Sequence, residues 1–187
     1  DVINKLLPGT GNQGGFRFVR VNGRVAFAVL FTTGDNPSWP DDLDVESGVF
    51  TYFGDNQKAG NRLEETRKGG NAFLAEVFSR LHSDPPSRDT IPPVFVFRRA
   101  NLIKGRDVRF LGLAVPGSSD HDPDDDLVAI WRTDGTTRFQ NYRAIFTILD
   151  AGDIKRQWLN DLVAGRTLTD NCPPAYRMWV NSGVTNL

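Results

Sequence analysis

Four carboxylates lie between aromatic residues in the stretch SWPDDLDVESGVFTYFGD, residues 38–55. Trp39 precedes the acidic residues and Tyr52 follows them; the acids are Asp41, Asp42, Asp44 and Glu46. Two rings placed around a carboxylate can hold a planar heterocycle, since stacking contributes roughly 1–3 kcal/mol per base. The carboxylate can accept a hydrogen bond from an exocyclic amine, as Asp and Glu do from cytosine. The pattern is consistent with a pocket for a base extruded from a duplex, and equally with two aromatic residues of the core.

Metal-dependent hydrolysis is a second chemistry that the acidic residues could support. Asp153-Ile154-Lys155 matches the acid-x-Lys pattern of one class of nucleases. These residues follow Gly152 and open a predicted helix, so Asp153 is better explained as its N-cap. The cluster DPDDD, residues 122–126, lacks the distal glutamate of a calcium loop. With one cysteine and two histidines in the chain, we predict no catalytic residue, no metal site and no cofactor.

Charged residues are segregated along the chain, although its net charge is only −1. One basic stretch lies near the N-terminus and a second runs through residues 98–109. Their members are Arg17, Arg20, Arg24, Arg98, Arg99, Lys104, Arg106 and Arg109. A nearly neutral protein with separated charges can present a basic face to phosphate groups. Taken alone, each patch is better explained as an ordinary solvated surface.

The sequence carries no signal for a membrane or for export. No apolar run is long enough to span a bilayer, and the N-terminus lacks the layout of a signal peptide. The single cysteine, Cys172, rules out an internal disulfide. We therefore predict no membrane association and a cytoplasmic location.

The apolar patterning predicts a β-rich domain with flanking helices. Residues 16–31 alternate in polarity around Asn22-Gly23, which indicates a hairpin whose turn residues both adopt positive φ. Further strands are predicted at residues 48–53, 93–100, 108–115, 127–131 and 139–149. Helices are predicted over residues 71–81, capped by Asn71, and over residues 154–165, and another element starts at residue 173.

The remaining segments set the predicted boundaries of the domain. Residues 54–70 are polar, contain glycines and have no periodicity, which predicts an ordered loop. Residues 1–15 are glycine-rich and are predicted to be a flexible lead-in to a single domain over residues 16–187. The predicted fold class is α+β, with a twisted, partly closed, barrel-like sheet and two or more flanking helices.

The region from Gly23 to Arg62 resembles the base-binding part of SET- and RING-associated (SRA) domains, which read modified cytosine in DNA. The shared features are a Gly-Arg turn, an apolar strand, an aromatic residue before an acidic pair, an aromatic strand ending in glycine, and a Gly-Asn-Arg loop. Here they are Gly23-Arg24, VAFAVLF, Trp39-Pro40-Asp41-Asp42, Phe50-Thr51-Tyr52-Phe53-Gly54 and Gly60-Asn61-Arg62. Over its length, including LVAIWR and PPAYRMWV, the chain resembles the SRA-like N-terminal domain of bacterial modification-dependent restriction endonucleases of the AspBHI type.

The resemblance implies a role for each matching residue. The pocket residues would be Trp39, Asp42, Thr51, Tyr52, Phe53, Gly54 and Asp55. Trp39 and Tyr52 would sandwich a flipped base, and main-chain groups would complete the contacts to its pairing edge. Asp42 would accept from the cytosine amino group, and Asp55 would line the wall beside the C5 substituent. The other acids would shape the loop or face solvent. Relative to the family pattern, this chain has one extra residue between the acidic pair and the tyrosine strand. One of the other acids would replace Asp42 if that extra residue falls elsewhere.

The resemblance also implies how DNA is held and what the chain does. DNA-contacting loops would carry Arg20, Arg24, Lys58, Asn61, Arg62, Arg98 and Arg99. We expect a non-enzymatic, bacterial cytoplasmic domain that binds double-stranded DNA and recognises 5-methylcytosine or 5-hydroxymethylcytosine by base flipping. A C-terminal nuclease domain would follow in the intact protein. Two other functions stay open on the sequence: a small metal-dependent nuclease that uses the acidic clusters, and a binding module for a protein partner.

Overall fold

The computed structural model describes residues 1–100 and 107–185. These residues form eight strands and four α-helices. The strands are β1 Phe16–Val21, β2 Arg24–Thr32, β3 Asp42–Leu43, β4 Val49–Phe53, β5 Val94–Ala100, β6 Asp107–Pro116, β7 Leu127–Asp134 and β8 Thr137–Ile148. The helices are α1 Val2–Leu6, α2 Gly70–Leu81, α3 Arg156–Val163 and α4 Pro174–Ser182. The predicted α+β class is confirmed.

The chain divides into two compact units. The first unit consists of Asp1–Thr33, Pro92–Val115 and Ile148–Leu187, and the second consists of Gly34–Ile91 and Pro116–Thr147. The acidic and aromatic stretch lies entirely in the second unit, whereas both basic stretches lie in the first. The predicted single domain over residues 16–187 stays a prediction.

In the first unit the strands run in the order β1-β2-β5-β6. β1 and β2 are antiparallel, β2 and β5 are parallel, and β5 and β6 are antiparallel. The β1–β2 turn has Asn22 at φ 51° and Gly23 at φ 76°, which confirms the predicted hairpin. Its core contains Phe95, which packs edge-on against Phe27 at 5.5 Å and against Trp158 of α3 at 6.2 Å.

In the second unit the strands run in the order β7-β8-β4-β3, and every neighbouring pair is antiparallel. Helix α2 packs on one face of these strands through Phe78, whose ring lies 5.5 Å from that of Phe146 on β8. The apolar residues of α2 fall at helical spacing, and Phe73, Leu74, Val77 and Phe78 are buried. The predicted helix over residues 71–81 is therefore confirmed to within one residue.

The strand order has two open ends. Among the described strands, β1 pairs only with β2, and β3 pairs only with β4. The terminal strands do not pair with each other, so the predicted barrel-like closure is not confirmed.

The first fifteen residues include structure that their glycine-rich composition does not predict. Val2–Leu6 form α1, and the carboxylate of Asp1 accepts hydrogen bonds from the main-chain N–H groups of Ile3 and Asn4. Ile3 is fully buried. The guanidinium of Arg17, which is also buried, pairs with Asp1 at 3.0 Å. This pair uses one of the arginines that the basic N-terminal stretch would otherwise offer to a ligand.

Two predicted helix caps differ from the observed ones. Asn71 lies inside α2, which begins after Gly69, and Gly69 has a left-handed conformation without a side chain to cap the helix. α3 begins at Arg156 after Lys155, so Asp153 lies outside the helix it was predicted to cap. No helix of the described residues is long and apolar enough to cross a membrane.

Candidate nucleic-acid interface

The edge of β4 changes its hydrogen-bond partner halfway along the strand. The two residues of β3 pair only with Phe50 and Thr51. At Phe53 the main-chain N–H donates instead to the carboxylate Oδ1 of Asp41 at 2.8 Å. Asp41 reaches this place because its own N–H donates to the carbonyl of Trp39 at 3.0 Å, which closes a tight turn. A side chain with acceptor capacity therefore stands at this edge where a neighbouring strand would otherwise lie.

The structure places the two acids of the pair differently. Asp42, the predicted acceptor for a cytosine amine, is exposed and lies on β3 opposite Thr51. Asp41 is half-buried and contacts the main chain of Phe53. Of the two, Asp41 is the carboxylate that the fold brings to the predicted pairing edge.

The two predicted stacking rings lie on opposite faces of β4. Trp39 packs against Phe53 at 5.7 Å and against Phe139 of β8 at 6.2 Å between ring centroids. Tyr52 lies next to Phe53 in the strand, so its side chain points to the other face, where its ring lies 5.6 Å from that of Phe50. Trp39 is 4% exposed and Tyr52 is 3% exposed. Both rings are therefore covered.

Asp44 shapes the turn between β3 and β4. Asp44 accepts from the Ser47 hydroxyl at 2.8 Å and from the main-chain N–H of Glu46 at 3.0 Å. These hydrogen bonds, the one from Ser47 foremost, lower the pKa of Asp44. The expected loop-shaping role is confirmed for Asp44.

Three buried asparagines hold the polar loop that follows β4. Asn141 of β8 donates to the carbonyl of Gly54 at 2.9 Å, and its side-chain oxygen accepts from the side chain of Asn71 at 3.0 Å. Asn56 donates to the carbonyl of Gln140 at 2.8 Å. The exposed fractions of the three asparagines are 1% or less. Since buried polar groups are costly unless paired, this network fixes the path of the loop.

Gly54 is required by the same network. A Cβ at this position would lie 1.8 Å from Oδ1 of Asn71 and 2.6 Å from Oδ1 of Asn141. No side chain fits at such distances, so the glycine that ends the aromatic strand serves the close approach of the two amides. This is a structural reason for a residue that the sequence predicts only as part of the pocket.

Asp55 caps helix α2 from a distance in sequence. Its carboxylate accepts from the main-chain N–H groups of Gly70 at 3.0 Å and Asn71 at 2.9 Å, and from the Thr66 hydroxyl at 2.9 Å. Both oxygens are thus engaged with the end of the loop and the start of the helix. The position predicted to line a pocket wall provides the cap that Gly69 lacks.

The tip of the loop carries exposed polar residues. Lys58, Asn61 and Arg62, all predicted to contact DNA, are exposed. Arg62 lies 3.6 Å from Glu65, and both side chains are largely exposed, so this ion pair contributes little. The far side of the loop is anchored by Glu64, which accepts from the hydroxyl of Tyr142 at 2.7 Å. The loop is therefore anchored near Glu64, while its exposed tip is accessible to a ligand.

The predicted phosphate-binding arginines are in the first unit. Arg20, Arg24 and Arg98 are exposed, and Arg99 is half-buried. The guanidinium of Arg20 lies over the ring of Phe18 at 4.9 Å, which still leaves its charge near solvent. Lys104 and Arg106, the other cations of the second basic stretch, lie outside the described residues.

The residue pattern alone indicates neither Arg132 nor Phe139 nor the asparagine network. Arg132 of β7 lies over the ring of Trp39, with Cζ 5.0 Å from the ring centroid. The only available signal was Asn141, a polar residue in an otherwise apolar run of β8. Among the described residues no group of three or more His, Cys, Asp or Glu side chains could hold a metal ion.

Comparisons with known proteins give the family. The whole chain, residues 1–187, matches the model of the N-terminal domain of the restriction endonuclease AspBHI. The fold is similar to the DNA recognition domain of the cytosine modification-dependent restriction endonuclease LpnPI, at 38% identity and a TM-score of 0.90, over 99% of this chain and 82% of that one. It is also similar to the DNA modification-dependent restriction endonuclease AspBHI, at 38% identity and a TM-score of 0.91, over 100% of this chain and 46% of that one.

A more distant likeness shows the fold alone. The MspJI restriction endonuclease in complex with a 27-mer oligonucleotide aligns at 23% identity and a TM-score of 0.68, over 93% of this chain and 43% of that one. A search of curated proteins found no match. The chain spans about half the length of the AspBHI chain and corresponds to its N-terminal, not its catalytic, part. It belongs to the family of AspBHI-type restriction endonuclease N-terminal domains.

Proposed function

We propose that this chain is the DNA recognition module of a modification-dependent restriction system and that it reads 5-methylcytosine or 5-hydroxymethylcytosine in double-stranded DNA. The family supplies the class, because its LpnPI relative is a DNA recognition domain. The observation that carries the proposal is the carboxylate of Asp41 beside the main chain of Phe53, at the edge of β4. In the intact protein we expect a nuclease domain to accompany it.

Asp41 has the right chemistry to read a cytosine. An ionised carboxylate has two oxygens with about four lone-pair sites. It can therefore hold the N–H of Phe53 and also accept from the N4 amine of a base, which is the contact by which Asp and Glu recognise cytosine. Thymine has a carbonyl at that position and would place an acceptor against the carboxylate. The site thus favours cytosine before any modification is considered.

The opposite placement of Trp39 and Tyr52 suits a base that pairs with a strand edge. A planar base hydrogen-bonded to main-chain groups at that edge lies close to the plane of the sheet. Its two π-faces then point to the two faces of the sheet, where the two rings lie. Because each ring is nearly fully covered, entry of a base must move side chains around them.

The proposal includes base flipping because only an extruded base can bring its whole pairing edge to Asp41 and the end of β4. Within a duplex that edge faces the paired guanine, and a carboxylate can reach only the second N4 hydrogen, from the major groove. Exposed cations on the loop at residues 54–69 and on the β1–β2 hairpin can meanwhile hold phosphates, which fix orientation but carry no sequence information.

The proposal is tested by fluorescence anisotropy with three duplexes of one sequence that carry cytosine, 5-methylcytosine or 5-hydroxymethylcytosine at one position. At about 0.1 M salt, where phosphate contacts are partly screened, we expect a modified duplex to bind about tenfold more tightly, roughly 1.4 kcal/mol. Equal binding of all three duplexes would refute the reading of modified cytosine. A fluorescence rise of 2-aminopurine next to the modified base would report extrusion.

Neighbouring acids provide a matched pair of variants. Asp41→Ala should abolish the preference and leave salt-sensitive binding to any duplex, whereas Asp42→Ala, which removes an equal charge one residue away, should keep it. If instead Asp42→Ala loses the preference and Asp41→Ala keeps it, Asp42 is the acid that reads the base. The extra residue of this chain, counted against the family pattern, would then lie on the other side of the acidic pair. Thermal unfolding of both variants shows whether the fold is retained.

A further inference from the structure

The indole of Trp39 is held by a cation that no sequence motif indicates. Phe53 and Phe139 meet the ring at interplanar angles of 54° and 64°, so neither is stacked on it in parallel. The guanidinium of Arg132 lies over the ring, 5.0 Å from its centroid. Ile130, on the same strand, packs against the same cluster. Trp39 itself lies in a loop, so its orientation depends on these neighbours.

Arg132 is presented by an exposed β-hairpin. The eight residues from 131 to 138, at the end of β7, the turn and the start of β8, are all exposed. Arg132 pairs in register with Phe139 of β8, which places both side chains on the face of the strands where Trp39 lies. The hairpin therefore fixes the backbone of Arg132, whose long side chain reaches over the indole of Trp39.

The position of Arg132 relative to β4 distinguishes two roles for its guanidinium: it could support the ring of Trp39, or it could occupy the place where a base would stack. Within the second unit β8 lies between β7 and β4. Arg132 pairs with Phe139, whereas Phe53 of β4 pairs with Arg143, so the backbone at Arg132 is two strands away from the line of β4 and four residues of β8 further along it. Asp41 and the open edge of Phe53 lie on the other side of β4, towards β3. A base that reaches this edge approaches Trp39 from the side opposite to Arg132, so the guanidinium supports the ring and does not occupy the place of the base.

We infer that Arg132 is a positioning residue for base discrimination, which keeps Trp39 in the orientation that stacks on an extruded base. This inference rests on the proposed function. It assigns to Arg132 an effect on the ratio of affinities for modified and unmodified DNA, beyond the loss of one positive charge. A purely structural contact would change stability, or would change affinity for both duplexes alike, and would leave that ratio untouched.

The same hairpin contains a matched control. Arg138 is also exposed, and its guanidinium lies over the ring of Trp131 at 4.5 Å. Trp131 is 52% exposed and is not part of the cluster around Trp39. Arg132→Ala and Arg138→Ala therefore each remove one charge and one cation–π contact from the same element, and only the first touches the proposed stacking ring.

The experiment measures Kd for the cytosine and the preferred modified duplex with the wild type and both variants, alongside their thermal unfolding. We expect Arg132→Ala to lower the preference for the modified duplex about two- to fivefold, the factor that matches an ordinary cation–π contact, and Arg138→Ala to keep it. An unchanged or increased preference in Arg132→Ala would overturn the inference, as would an equal loss in Arg138→Ala. A wild type without any preference would instead refute the proposed function.

A double-mutant cycle tests whether Arg132 acts through the indole. In a Trp39→Phe background the ring is smaller and offers a weaker partner for the cation. Arg132→Ala should then change the preference by less than it does in the wild type. Equal effects in both backgrounds would mean that the two residues act independently, and Arg132 would not be a positioning residue for Trp39.

Discussion

Replacing Asp55 with alanine tests whether the loop after β4 is held by a cap supplied from outside helix α2. The change removes three hydrogen bonds to one carboxylate, from the N–H groups of Gly70 and Asn71 and from the hydroxyl of Thr66. It leaves two main-chain donors at the first turn of a helix whose own N-cap residue, Gly69, offers no side-chain acceptor. The perturbation therefore separates the loop from the helix without creating a cavity in the core.

The expected loss can be estimated from the parts. Removal of an N-cap acceptor costs about 0.5–2 kcal/mol, and a hydrogen bond to a charged group contributes about 1.5–3 kcal/mol. Because these figures describe overlapping contacts, we expect Asp55→Ala to lower the free energy of unfolding by about 2–4 kcal/mol. Asp55→Asn keeps the shape and one acceptor oxygen, so about half of that loss should remain.

Urea denaturation followed by circular dichroism measures these differences, with Asp134→Ala as the control. Asp134 is exposed at the end of β7, and a surface substitution of this kind usually changes stability by less than about 0.5 kcal/mol. A loss for Asp55→Ala no larger than that of the control would refute the role of Asp55 as a remote cap. A loss that Asp55→Asn shares in full would show that both carboxylate oxygens are needed.

Three further predictions concern Gly54, Asp126 and Arg24. Gly54→Ala should lower the free energy of unfolding by about 2–4 kcal/mol, because its Cβ displaces the Asn71 amide; an unchanged urea midpoint would contradict this. Burial raises the pKa of Asp126, so its contribution to stability is full below the usual value of 3.8 and is lost as the pH rises through the folded-state pKa. The free energy of unfolding of Asp126→Asn, measured relative to that of the wild type, should therefore increase from acidic to neutral pH. A difference that does not change with pH would contradict this prediction. Arg24→Ala should weaken all duplexes alike and reduce the salt slope by about 0.9, whereas an unchanged slope would exclude Arg24 from the phosphate contacts.

Local signals explain which parts of the fold the sequence predicts. The Asn22-Gly23 turn and the apolar face of α2 depend on residues a few positions apart, and both are confirmed. The caps of α2 and α3 were predicted from the nearest suitable side chain. For α2 that prediction was wrong because Asp55, distant in sequence, supplies the acceptor. Local sequence patterns cannot identify a capping residue that comes from a segment distant in sequence.

The candidate site shows the same division. The acidic pair and the aromatic strand can be located from their spacing. Which acid meets the strand edge is decided by the tight turn at Trp39 and by the shortness of β3, and neither is visible in the residue types. The asparagine network joins positions 70 to 87 residues apart in sequence, so only the assembled strands reveal why Gly54 cannot carry a side chain.

The loop and the rings differ in how much they must change when DNA arrives. The loop at residues 54–69 is fixed by buried amides and by the carboxylate of Asp55, so its ordering is completed during folding and costs little on binding. Trp39 and Tyr52 are covered, so under the proposed function the adjustment would fall on side chains around them. A domain of this kind should bind any duplex through a preformed surface, and its side chains should rearrange only when a base enters the pocket. Discrimination would then depend on Asp41 and on the neighbours that orient Trp39, while overall affinity depends on exposed cations. Substitutions at these two sets of residues should therefore separate specificity from affinity.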